Sequence, residues 1–112
     1  MTSGVPGSSG PAGRDRLERL RRDYRPAFLA HLTRQGEAEL RSAYELGRGA
    51  MADRVSMLDL VQVHHAVFVE VVLTVRDVEE LPGMLDAAAA FLVEALAPYE
   101  MTRRPPARAA TD

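Results

Sequence analysis

The stretch LDLVQVHHAVFVEVVLTV, residues 58–75, decides the fold of this chain because it reads two ways. Its valines prefer strands, and residues 68–75 alone would pass for a buried strand. Length arbitrates: residues 57–75 run for nineteen positions without Gly or Pro, whereas an ordinary strand has about five or six. Ser56, with Asp59 three residues on, resembles a capping box in which Asp replaces the usual Glu or Gln. The reading is a helix that starts near Met57. Apolar residues surround it almost completely, so it is expected to be buried on most sides.

Three further helices follow from periodicity. Leu17, Leu20, Tyr24, Ala27 and His31 recur at spacings of three and four, with Phe28 and Leu32 widening the face. Pro26 predicts a kink or a split in that helix, and Gly36 is read as its stop. In GEAELRSAYELGRGAMADR, residues 36–54, the apolar side is Leu40, Ala43, Tyr44, Gly47, Ala50 and Met51. Gly47 and Gly49 each cost about 1 kcal/mol relative to Ala inside a helix, which predicts either close backbone approach or a weak spot. The last helix begins at Pro82, a favoured first-turn residue. Its face is read as Leu85, Ala88, Leu92, Ala95 and Tyr99, with Met84 and Phe91 as a flanking row and Pro98 disturbing the last turn. The predicted fold is an all-α four-helix bundle with short connections.

Residues 1–13, MTSGVPGSSGPAG, carry no charge and almost no large apolar side chain, and are expected to form a loose tail. They lack the basic start and apolar core of a secretory signal. Residues 102–112 are expected to form a second loose tail, leaving a helical domain over residues 14–101. A core of roughly 85 residues is only modestly stabilising, and association with another chain often helps. The over-apolar third helix therefore predicts a homodimer with that helix central.

The 112 residues contain no cysteine, so a disulfide framework and a thiolate metal site are excluded. A cytoplasmic location fits that composition. The apolar run 66–69 is broken by Glu70, and a membrane span needs about 20 apolar residues, so no membrane partner is expected. Lys, Ile and Asn are absent while Arg is frequent. A GC-rich coding sequence accounts for that bias, and the arginines are not read as phosphate ligands. Residues 14–25 carry a net charge of +3, and residues 77–100 hold six acids and no base. Oppositely charged helices favour each other as neighbours, and no broad basic face is left for nucleic acid.

His64 and His65 point about 100° apart on a helix and cannot close on one metal as a pair four apart does. Neither a metal nor any other cofactor is therefore expected, and the bland reading is an interior or interface imidazole. Histidine phosphotransfer at His64 or His65 is the alternative, because such modules are also four-helix bundles. Against it, the flanks are apolar and no base follows until Arg76. Ser42 and Ser56 sit in no nucleophile motif, and Asp53, Asp59 and Asp86 are too scattered for a carboxylate pair. No catalytic residue emerges, and a non-enzymatic binding module is the reading.

The segment AYELGRGAMADRVSMLDLVQVHHAVFVEVV, followed after a short gap by AAAFLVEALAPYEM, resembles the N-terminal regulatory domain of RsbU-type stress-response phosphatases. The similarity covers residues 37–101, with a weaker match over residues 15–32. Residues carrying it are Tyr44, Glu45, Leu46, Gly47 and Arg48; Leu58, Asp59, Leu60, His64 and His65; and Phe91, Leu92, Glu94, Pro98, Tyr99, Glu100 and Met101. The resemblance implies a dimerising four-helix domain, related in fold to the KaiA C-terminal domain. It also implies a docking site for a switch kinase of the RsbT type in sigma-factor partner switching. Family members continue into a phosphatase or sensor domain, whereas only a Pro-interrupted tail follows Met101 in this sequence, so no phosphatase activity is expected. The partners so implied are a second copy, a switch-type kinase or a full-length phosphatase relative. Tyr44, Glu45, Arg48, Leu60, His64, His65, Phe68 and Tyr99 are the candidate docking or dimer-seam residues.

Overall fold

Ser56 begins the third helix as its sequence predicts: its hydroxyl accepts the Asp59 backbone N–H at 3.0 Å. In the computed structural model, which describes residues 11–103, this is one of four α-helices. They are α1 (Pro11–Arg34), α2 (Glu37–Ala52), α3 (Met57–Val72) and α4 (Leu81–Arg103), with a 3-10 turn, Val78–Glu80, ahead of α4. No strand occurs among the described residues. The chain is an all-α four-helix bundle. Its helical body starts at Pro11, three residues before the expected boundary, and reaches Arg103, two beyond Met101. The rest of the two expected tails lies outside the described residues.

Several boundaries differ from the sequence reading for local reasons. α3 stops at Val72 rather than residue 75, because the Thr74 hydroxyl and backbone N–H both turn back to the Val71 carbonyl, at 2.7 and 3.0 Å. Gly36 is not the residue that turns the chain after α1. Gln35 takes the left-handed conformation (φ 53°), and Gly36 is the extended N-cap of α2. Neither proline ends its helix. Pro26 is exposed within a continuous α1, so the hydrogen bond it removes lies on the solvent side. Pro98 is buried inside α4, and the Thr102 hydroxyl donates to its carbonyl at 3.0 Å.

The core is built from Leu20, Tyr24 and Phe28 of α1, Ala43 and Ala50 of α2, Leu60, Val63, Val67 and Val71 of α3, and Ala88, Phe91, Ala95 and Tyr99 of α4. The small residues of α2 let it lie close against α4, and these two helices share the broadest interface. At Gly47 the approach is so close that a Cβ would fall 1.9 Å from the Ala95 carbonyl oxygen. Gly49 is the opposite case: a Cβ there would meet nothing within 4 Å. Close approach thus explains one glycine, and the other is a plain weak spot in the helix.

The register of α4 differs from the expected one. Its inward row is Ala88, Phe91, Ala95 and Tyr99, with Met84 packed against it, whereas Leu85 is exposed and Leu92 only half-buried. Phe91 is fully buried because its ring enters the aromatic cluster around Phe28, with centroids 5.4 Å apart. The segment Val78–Thr102 is long and apolar enough to cross a membrane by length and composition alone. Its uncharged apolar run 87–93 is longer than the run 66–69 considered above.

α3 is not buried on most sides within the single chain. It packs on α1 and α4, barely touches α2, and makes the least contact of the four helices. Leu58 and Leu73 are 74% and 78% exposed, and Val69 also faces outward.

Candidate partner-binding surface

The 100° turn between adjacent helical positions separates the two histidines. His64 is buried against α1 and His65 is exposed on the outward face of α3. Around His64 the rings of Tyr24, Phe28 and Phe68 lie at centroid distances of 5.8, 5.4 and 6.2 Å. The Tyr24 hydroxyl lies 2.7 Å from His64 Nδ1. A buried phenol proton needs an acceptor, and Nδ1 is the partner it has, so Tyr24 donates and the imidazole proton sits on Nε2. Burial, with a smaller contribution from neighbouring His65, pushes the His64 pKa down to about 4. Burial likewise raises the Tyr24 hydroxyl well above the ordinary phenol range. The pair is neutral at physiological pH. With Nδ1 engaged and the ring enclosed, His64 is closed to a phosphoryl donor, which leaves His65 as the accessible imidazole.

His31 is also buried, beside Phe91 at a centroid distance of 5.6 Å, and neither ring nitrogen has a partner among the described residues. Those residues contain no grouping of three or more side chains able to hold a metal ion.

The remaining candidates fall into two sets. Leu60 is fully buried, and Tyr99 is buried with its hydroxyl donating to the Val55 carbonyl at 2.7 Å, tying α4 to the loop before α3. In the single chain these are packing residues. Glu45 and Arg48 are exposed on α2, where they pair with each other at 3.2 Å. Tyr44 is half-buried, with its hydroxyl 3.8 Å from Met101 Sδ. Phe68 is half-buried at the edge of the ring cluster. The open candidates therefore lie on two different sides of the bundle.

The structure also brings out residues that periodicity alone did not single out for a surface. Leu58, His65 and Val69 of α3, with its C-cap residue Leu73, fall on one helical face, bordered by half-buried Val61 and Val72. On α4, Leu85 and Val93 are exposed along the side away from Phe91. Exposed apolar stripes of this kind mark association surfaces. Glu70, which breaks the apolar run of α3, joins that helix to α1 by pairing with Arg21 and, at 3.2 Å, with Arg25. The expected charge pairing of α1 with α4 does not form among the described residues. Arg21 and Arg25 turn to Glu70, and Arg19 lies 4.0 Å from Asp53.

Comparison with curated proteins and with solved structures returns no match. A family model described as the N-terminal domain of the phosphoserine phosphatase RsbU matches residues 22–102. That span takes in the ring cluster, the Gly47–Ala95 contact and both outward apolar faces. It corresponds to a regulatory domain rather than to a phosphatase catalytic domain, and it implies a regulatory role in a partner-switching pathway. The chain belongs to the RsbU N-terminal domain family.

Proposed function

We propose that the protein is a non-enzymatic docking module of cytoplasmic partner switching, that it pairs with a second copy through the outward face of α3, and that it receives a switch kinase of the RsbT type. The family match over residues 22–102 carries this reading. The apolar face of Leu58, His65, Val69 and Leu73 supports the dimer: a small bundle that leaves such a stripe in water gains by covering it, and an uncharged stripe is self-complementary under a two-fold. A full-length phosphatase relative offering the same face is the other partner this surface fits.

Two measurements test the proposal. Multi-angle light scattering of the full chain gives a dimer mass at micromolar concentration if the α3 face is a seam; a monomer there removes the dimer. Titration calorimetry against a switch kinase gives a saturable complex; no heat at any accessible concentration removes the docking role. If phosphotransfer at His65 is the true activity, His65→Gln abolishes the output while leaving the kinase complex intact.

A further inference from the structure

The outward side of α4 differs chemically from that of α3. Leu85, Ala89, Leu92, Val93 and Leu96 share one helical face, and Leu85 and Val93 are 52% and 64% exposed. Exposed Asp86 borders this face, with Glu79 and Glu80 ahead of its start and Glu100 near its end. Residues 77–100 hold no base. Among the described residues no ion pair engages Glu79, Glu80 or Asp86, and Arg19, Arg21 and Arg25 of α1 lie against Asp53 and Glu70 instead. An apolar stripe edged by carboxylates that no described cation pairs attracts a cationic apolar surface. It also repels its own copy: two such faces joined by a two-fold would set acid against acid.

We propose that the outward face of α4 docks a partner through an amphipathic helix with arginine or lysine flanking an apolar stripe. This rests on the docking reading above and specifies the surface and the chemistry of what binds it. α3 and α4 then serve different partners: the uncharged face takes a second copy, and the acid-edged face takes the basic helix.

The test titrates the full 112-residue chain, followed by two-dimensional NMR, with a synthetic helical peptide. The peptide carries leucines along one side and arginines on both flanks, and its counterpart has glutamates in place of the arginines. The arginine peptide is expected to shift signals centred on Leu85, Ala89, Val93 and Leu96. Its affinity falls about tenfold between about 0.05 and about 0.5 M salt, as screening removes the charge attraction. Leu85→Arg and Val93→Arg each weaken it by about tenfold, with the helical circular dichroism of the chain unchanged because both positions are exposed. Leu58→Arg on α3 leaves it unaffected. The proposal is overturned if the glutamate peptide binds equally well, or if the shifts map to Leu58, His65 and Leu73. It is also overturned if the chain alone self-associates in a salt-sensitive way that Val93→Arg abolishes, since the occupant would then be the arginine-rich α1 of a second copy. A switch kinase that fails to bind while the arginine peptide binds at α4 refutes the kinase as partner and leaves the α4 face as assigned.

Discussion

The Tyr24 hydroxyl and His64 Nδ1 meet at 2.7 Å in the centre of the bundle, and both side chains are buried. This hydrogen bond spans α1 and α3, helices otherwise joined by ring contacts and by the arginine pairs of Glu70. Its partners are unequal in what their loss exposes. Tyr24→Phe leaves Nδ1 buried without a donor and is expected to cost about 1–3 kcal/mol. Combining it with His64→Leu removes both polar groups, and the double variant is expected to be more stable than the two separate losses predict. Urea melts of the four species of this cycle read the coupling, and strict additivity would contradict it.

Stability falls in acid, and the sign follows from His64. Its folded pKa of about 4 lies below the ordinary 6.5, so the unfolded chain binds the proton more readily. The full stability is present above pH 6.5 and is lost progressively as pH falls toward 4. The difference between those two values corresponds to about 3 kcal/mol. The Tyr24→Phe/His64→Leu double variant removes this contribution while leaving the carboxylates in place. A chain whose melting temperature falls no more steeply across this window than that of the double variant would contradict the assignment.

The two glycines of α2 predict opposite outcomes for one substitution. At Gly47 an added methyl meets the Ala95 carbonyl oxygen at 1.9 Å. Because the oxygen is backbone and the new Cβ is held rigidly by the α2 backbone, the helices must separate, and Gly47→Ala is expected to destabilise by several kcal/mol, at or above the usual 1–3 kcal/mol range for overpacking. At Gly49 nothing lies within 4 Å of the new atom, so Gly49→Ala is expected to stabilise by about 0.5–1 kcal/mol through helix propensity. Thermal melts of the two variants check both signs.

For the α3 face, Leu58→Glu with Leu73→Glu places two charges where leucines stand exposed. Unfolding of the single chain is expected to change by less than about 0.5 kcal/mol, because surface substitutions away from the core act weakly. The mass in solution is expected to fall from dimer to monomer by sedimentation equilibrium. An unchanged mass would place the seam elsewhere.

How much of this was legible in the sequence depends on where the deciding information lies. Ser56 and Asp59 are neighbours, so the start of α3 can be read from them, and the structure shows the forward hydrogen bond. The split between His64 and His65 follows from helical geometry alone. The register of α4 is different, because two adjacent stripes of that helix both repeat every three or four residues. Choosing between them needs the ring of Phe28, which receives Phe91. That ring resides on another helix. The exposure of Leu58 and Leu73 was hidden for a related reason: hydropathy marks a residue as fit for burial without saying whether its own chain supplies the cover.

Backbone-level contact between Gly47 and Ala95 leaves no compliant side chain between α2 and α4 at that one point. α3, by contrast, barely touches α2 and is held chiefly through the rings and arginines of α1. A displacement of α4 at Ala95 toward α2 is therefore expected to press directly on the α2 backbone, with no side chain there to absorb it.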